Sequence, residues 1–170
     1  MFRRLLIALA AVALSLTAFV GATAAAPVQM FVTPLNGSEE TPPNDTQARG
    51  VAIFQLSADG STMTYRLIAS NIDNVVAAHI HIGPLGCTCP VGVGLFPGAA
   101  PGGGRHDGVL ATGSFTATDF DGPLAGDTMA DLVAEINAGN AYVNVHTNDG
   151  VAPGGTGPGD LPVGEIRGQL

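Results

Sequence analysis

Three of the four histidines in this chain stand in two similar segments in which apolar and polar residues alternate. His79 and His81 lie two positions apart in residues 77–83, and His146 lies in residues 141–147. Successive side chains of a β-strand point to opposite faces, so His79 and His81 share a face. If both segments belong to one sheet, the three imidazoles converge. Since neutral imidazole is the commonest metal ligand in proteins, we predict a transition-metal site at His79, His81 and His146, with copper first and zinc second.

A polar cluster without metal is the alternative for these side chains. Their ring nitrogens could hydrogen-bond to Asn144, to Thr147 or to a carboxylate. His106 follows a run of glycines. It is either a fourth ligand that swings in or, as we expect, a solvated loop residue.

The acidic residues suggest weaker alternatives. Glu39 and Glu40 could close the site or orient an imidazole, although we expect Glu40 to pair with Arg167. Asp149 and Asp160 offer oxygen ligands for calcium, but the residues around them lack the alternating spacing of a calcium loop. Because no Ser-His-Asp order, phosphate loop or paired carboxylates are recognisable, we expect a protein that is not an enzyme.

The elements that must position the histidines are predominantly strands. Alternation and turn residues predict seven of them, at residues 28–35, 49–56, 62–68, 75–82, 108–116, 141–147 and 163–170. Asp59-Gly60 predicts a hairpin turn. One short helix is expected to begin at Asp127 or Thr128 and to stop at Gly139. The pattern predicts an all-β fold, an antiparallel Greek-key β-sandwich with one short helix.

A long segment after the first histidine pair shows neither the two-residue period of a strand nor the 3.6-residue period of a helix. Residues 83–107 are dominated by glycine and proline, so we expect a loop there, either functional or mobile. It carries the only two cysteines, Cys87 and Cys89. A local disulfide is the first interpretation, although a ring closed over one residue is tight. Free or partner-linked thiols and soft-metal ligands stay open as alternatives.

The first residues have the composition of an export signal. Arg3 and Arg4 precede an apolar run over residues 5–20, and small residues follow at 22–26. We therefore predict a signal peptide over residues 1–26 and one domain over residues 27–170, with no membrane span once the signal is cleaved. The protein is expected to be secreted, periplasmic or held at the cell surface.

The charge of the predicted domain limits its partners. Residues 27–170 hold all 14 acidic residues and four arginines, which gives a net charge of −10. Such a surface repels nucleic acid and anionic membranes, so neither is expected as a partner. Metal ions and other cationic ligands are compatible with it.

Four ordered segments together carry a resemblance to a known family. They are Leu35-x-Gly37-x-x-Glu40-x-Pro42-Pro43, the Ala-Ala-His-Ile-His-x-Gly run at 77–83, Gly-x-Ala-Tyr-Val-Asn-Val-His-Thr at 139–147, and Gly-Glu-Ile-Arg-Gly-Gln-Leu at 164–170. On these segments the chain resembles the CHRD domain, the module named for chordin and also found in exported microbial proteins. The resemblance implies an exported sandwich of immunoglobulin-like or superoxide-dismutase-like type, without a settled activity.

Three functions follow as hypotheses. The first is an exported protein that binds copper or zinc through the three histidines. The second, suggested by the resemblance to chordin, is an interaction or matrix module whose loops contact another exported protein without metal. The third is a dismutase-like oxidoreductase, because the two histidine segments are similar in style to the copper-ligand strands of copper/zinc superoxide dismutase. The sequence lacks a complete set of dismutase ligands and a clear equivalent of the functional arginine.

Overall fold

The computed structural model describes residues 28–170, so the predicted signal peptide at 1–26 lies outside the described residues. Eight strands and one α-helix are present in this part of the chain. They are β1 (Met30–Asn36), β2 (Arg49–Leu56), β3 (Thr62–Asp73), β4 (Val75–Ile82), β5 (Val91–Phe96), β6 (Arg105–Thr116), α1 (Met129–Asn137), β7 (Ala141–Thr147) and β8 (Ile166–Gln169). None of the helices in residues 28–170 is long and apolar enough to cross a membrane.

All eight strands hydrogen-bond in one antiparallel sheet, in the order β5-β4-β7-β8-β1-β2-β3-β6. The two terminal strands, β5 and β6, contact each other because the sheet coils. Tyr65 on β3, the neighbour of β6 in the sheet, donates its hydroxyl hydrogen to the Leu95 carbonyl on β5 at 2.6 Å. The predicted all-β antiparallel fold with one helix is therefore confirmed, in a barrel-like form that encloses the core.

The core follows the predicted alternation along the strands. Phe54, Leu67, Ile80 and Val143 come from four different strands, and all are buried in one continuous apolar cluster. Burial of each such side chain contributes about 1.5–3 kcal/mol to stability. This packing fixes the faces of β4 and β7, so their alternate side chains must point away from the core.

The helix begins and ends at identifiable residues. Thr128 is the N-cap, and its side chain and that of Asp131 cap each other's backbone N–H groups reciprocally. Leu132 and Ile136 face the core. Gly139 has φ +71°, a left-handed conformation that ends the helix at little steric cost. The chain then enters β7 directly.

The prediction of a continuous loop over residues 83–107 is wrong. This segment contains β5 and the first residues of β6. Glycines at alternate positions of β5 hide the alternating pattern of a strand. Packing requires a glycine at position 92, because a Cβ there would lie only 2.8 Å from the Leu124 side chain. As a terminal strand, β5 tolerates glycines that a central strand would not. The last strand is shorter than predicted, at four residues.

Candidate metal centre

Pairing of β4 with β7 brings the three predicted ligands together. His79 lies opposite Asn144, and His146 lies opposite Ala77, so His79 and His146 are diagonal neighbours on one face. His81 follows on the same side of β4. One potential ligand atom from each histidine lies within 4.8 Å of the others. The predicted convergence is therefore confirmed.

Two ring nitrogens are oriented by backbone carbonyls. Nδ1 of His81 lies 2.7 Å from the Cys89 carbonyl oxygen, and Nδ1 of His146 lies 3.0 Å from the Pro162 carbonyl oxygen. A carbonyl oxygen only accepts, so each of these Nδ1 atoms carries a proton and each Nε2 keeps its lone pair. This is the usual support of a metal-binding histidine, whose second nitrogen donates to a fixed acceptor.

The free nitrogens face one another. Nδ1 of His79 is 3.1 Å from Nε2 of His146 and donates to it in the metal-free chain. Nε2 of His81 is buried and has no hydrogen-bond partner. Leaving a buried polar atom unpaired costs about 1–3 kcal/mol, and a binding partner at that atom would remove the cost. The candidate donor set therefore consists of His81 Nε2, His146 Nε2 and, once the His79 proton has moved to Nε2, His79 Nδ1.

Stacked side chains immobilise His81. The Tyr142 ring lies parallel to its imidazole, with centroids 4.8 Å apart and planes inclined by 7°. The guanidinium of Arg167 covers the Tyr142 ring, with its central carbon 3.4 Å from the ring centroid. Arg167 is only 1% exposed, and it donates to the carbonyls of Pro84 and Cys87. The stack restricts the imidazole to one plane.

Two loops cover the histidine face, which the alternation alone had placed outside the core. His81 is only 7% exposed, because residues 83–90 and the segment before β8 fold over this side of the sheet. The first of these loops contains the Cys87–Cys89 disulfide, the interpretation favoured from the sequence. Glu165 supports the second, accepting from Thr147 Oγ1 and Gly159 N at 2.6 and 2.8 Å.

Burial makes the cluster electrically neutral at ordinary pH. Desolvation lowers the pKa of His79 to about 4, with further lowering from the nearby rings of His146 and His81. Desolvation also lowers the pKa of His81 and of His146; the Cys89 carbonyl and the Asn144 side chain oppose this shift at His81, and the Pro162 carbonyl opposes it at His146. Neutral imidazole is the form that binds metal, so near pH 7 no proton has to be displaced from an imidazolium.

Glu40 lies beyond the cluster in the same polar layer. It is 6% exposed and accepts from Asn144 Nδ2 at 3.4 Å. Burial raises its pKa to about 7, and the positive charge of Arg167 opposes this increase. The expected direct pair is wrong, because no nitrogen of Arg167 lies within 4 Å of the Glu40 carboxylate. The guanidinium instead donates hydrogen bonds to the backbone carbonyls of Cys87 and Pro84.

The other candidates lie apart from the cluster or have structural partners. Glu39 bonds to Asn36 and to the backbone of β8, so it orients no imidazole. His106 is on β6, opposite Ile72, and half-buried, so the expectation of a solvated loop residue is wrong; it is not part of the three-histidine group either. Asp160 accepts from the backbone and hydroxyl of Thr156, which fixes a turn. The remaining calcium candidate, Asp149, accepts from the backbone N–H of Val151.

Sequence reasoning missed the groups that support the three histidines. The carbonyls of Cys89 and Pro162 are backbone atoms, so residue type gives no signal for them. Tyr142 and Arg167 do carry signals. Tyr142 shares the predicted face of His146 on β7, and Arg167 lies in the last of the four segments.

Comparison with known proteins identifies the family. The sequence model of the CHRD domain family matches residues 31–156, which is more than half of the chain. This match includes all three histidines and ends before the segment at 164–170. No curated protein and no solved structure matches the chain. The ordered segments, the antiparallel fold and the family match lead to one conclusion: the chain belongs to the CHRD domain family.

Proposed function

We propose that this CHRD protein binds one transition-metal ion through His79, His81 and His146, with copper preferred and zinc second. The observation that carries the proposal is the unpartnered Nε2 of His81, buried among ring nitrogens that lie within 4.8 Å of one another. A metal ion would accept the lone pairs of His81 Nε2 and His146 Nε2, and that of His79 Nδ1 once the His79 proton has moved to Nε2. It would also relieve the cost of the unsatisfied atom.

The chemistry of the donor set favours copper or zinc over hard cations. All three donors are neutral nitrogens, whereas calcium and magnesium require oxygen ligands. Copper binds more tightly than zinc to a given nitrogen site among divalent first-row ions. Three protein ligands leave a position open for water or another small ligand, which suits sequestration, delivery or weak redox chemistry.

An exported setting is part of the proposal. The composition of residues 1–26 supports it, since these residues carry the charged, apolar and small-residue regions of a signal peptide. The Cys87–Cys89 disulfide also fits an oxidising compartment. Such a protein would encounter metal outside the cytoplasm.

Competition titration with copper(II) and zinc(II) tests the proposal. The chain is produced without an affinity tag, and His81→Ala is compared with the parent. His106→Ala serves as the matched control, because it removes a histidine that lies outside the cluster. We expect the His81 variant to bind at least 100-fold more weakly and the control to match the parent. Equal affinity in all three proteins would refute the site.

A further inference from the structure

The disulfide ring lies directly against the groups that hold His81. The Cys89 carbonyl accepts from His81 Nδ1 at 2.7 Å, and the Cys89 backbone N–H donates to the Tyr142 hydroxyl at 3.0 Å. Arg167 Nη1 donates to the Cys87 carbonyl at 2.6 Å. The backbone of the small disulfide ring therefore bonds to three side chains: the imidazole of His81, the hydroxyl of Tyr142 and the guanidinium of Arg167.

The ring is also packed against the end of β4. Gly83 follows the histidine strand, and a Cβ at this position would collide with Cys89 Sγ. The residues before the ring, Pro84, Leu85 and Gly86, are exposed, and the loop is attached through the Pro84 carbonyl to Arg167 and through the Pro90 carbonyl to the backbone N–H of Ile82. Between these attachments, the bond between the two sulfurs closes the ring and limits how far the Cys89 carbonyl can turn.

We propose that the Cys87–Cys89 disulfide is a redox control on the metal site: the closed ring holds His81 in its ligating orientation, and reduction releases it. This inference rests on the proposed metal binding. The reductant is a dithiol. Thiol–disulfide exchange transfers two electrons and two protons to the pair, so Cys87 and Cys89 become thiols while the dithiol is oxidised to a disulfide.

A dithiol in solution can reach the Cys87–Cys89 disulfide. Cys87 and Cys89 are partly exposed, whereas His81 beneath them is buried. Opening the ring lets the loop backbone rotate, and the Cys89 carbonyl then no longer fixes a proton on His81 Nδ1. Loss of an acceptor behind a metal-binding histidine typically weakens metal affinity about 10- to 100-fold.

The test compares zinc affinity of the oxidised parent with that of Cys87→Ser/Cys89→Ser. Zinc is the probe because it does not reoxidise thiols. Parent reduced by dithiothreitol and desalted without oxygen provides a second open-ring form, which keeps the test valid if the double variant does not fold. We expect both open forms to bind zinc about 10- to 100-fold more weakly than the oxidised parent. Equal affinity would overturn the proposal, as would tighter binding by the reduced parent alone, since the thiols would then be ligands.

Nitrogen NMR of the histidine rings gives a readout that needs no metal. In the oxidised, zinc-free parent, His81 should be protonated at Nδ1 alone; in either open form it should exchange between Nδ1–H and Nε2–H. An unchanged tautomer would overturn the role of the ring. If no form binds zinc but the tautomer still responds, the control of His81 stands and the proposed metal function fails.

Discussion

Replacing Glu40 by glutamine should stabilise the protein at high pH. The parent carboxyl has a pKa near 4.5 when exposed and about 7 in the fold, chiefly because it is buried. The unfolded chain therefore binds fewer protons than the folded chain between these values, and stability falls as pH rises through the interval. A shift of this size corresponds to about 3 kcal/mol as an upper bound. Glutamine retains an oxygen that can accept from Asn144 but carries no charge.

The assay is urea unfolding of the metal-free proteins at pH 4.5 and at pH 8. The stability of Glu40→Gln relative to the parent should increase by about 2–3 kcal/mol between the two pH values. The histidines titrate in both proteins and largely cancel in this difference. Asp45→Asn is the matched control, because it removes a charge from an exposed side chain of the same segment. A difference that does not change with pH, or a variant less stable than the parent at pH 8, would refute the account of Glu40.

Three further predictions concern the cluster and the core. In the Glu40→Gln background, lowering the pH from 6.5 towards 4 should destabilise the metal-free protein, because the folded-state pKa of His79 is depressed to about 4. Adding His79→Gln should reduce this loss of stability. An unchanged pH profile of urea unfolding in that double variant would contradict the assignment to His79. Arg167→Lys should lower the unfolding free energy by about 2 kcal/mol, since lysine cannot reproduce the planar stack on Tyr142 and both carbonyl bonds; equal stability would oppose this role. Ile80→Ala should cost about 2–5 kcal/mol by leaving a cavity in the core, and a loss below 1 kcal/mol would show that Ile80 is not a core residue.

The histidine convergence was predictable because it depends only on the period of a strand and on pairing of two alternating segments. Residues 75–82 and 141–147 form strands with the predicted bounds, and their apolar faces enter the core. Once Ile80 and Val143 are buried, the neighbouring histidines must lie on the opposite face. Local alternation and hydrophobic burial therefore determine this part of the site.

The covering of that face was not predictable, because it depends on contacts between distant backbone segments. His81 is held by a carbonyl eight positions away and His146 by one sixteen positions away, both in segments rich in glycine and proline. The same composition concealed β5. The pairing of Glu40 with Arg167 failed for a related reason: complementary charge suggested it, but the guanidinium satisfies carbonyls of the disulfide loop instead.

The metal content of the purified protein tests the central claim most directly. The chain is isolated without an affinity tag, and copper and zinc are quantified by mass spectrometry in the parent and in His79→Ala/His81→Ala, after both have been exposed to the same metal-containing buffer and desalted. We predict about one metal ion per parent chain and almost none in the variant. A parent as free of metal as the variant would contradict the account and leave the three histidines as a polar cluster.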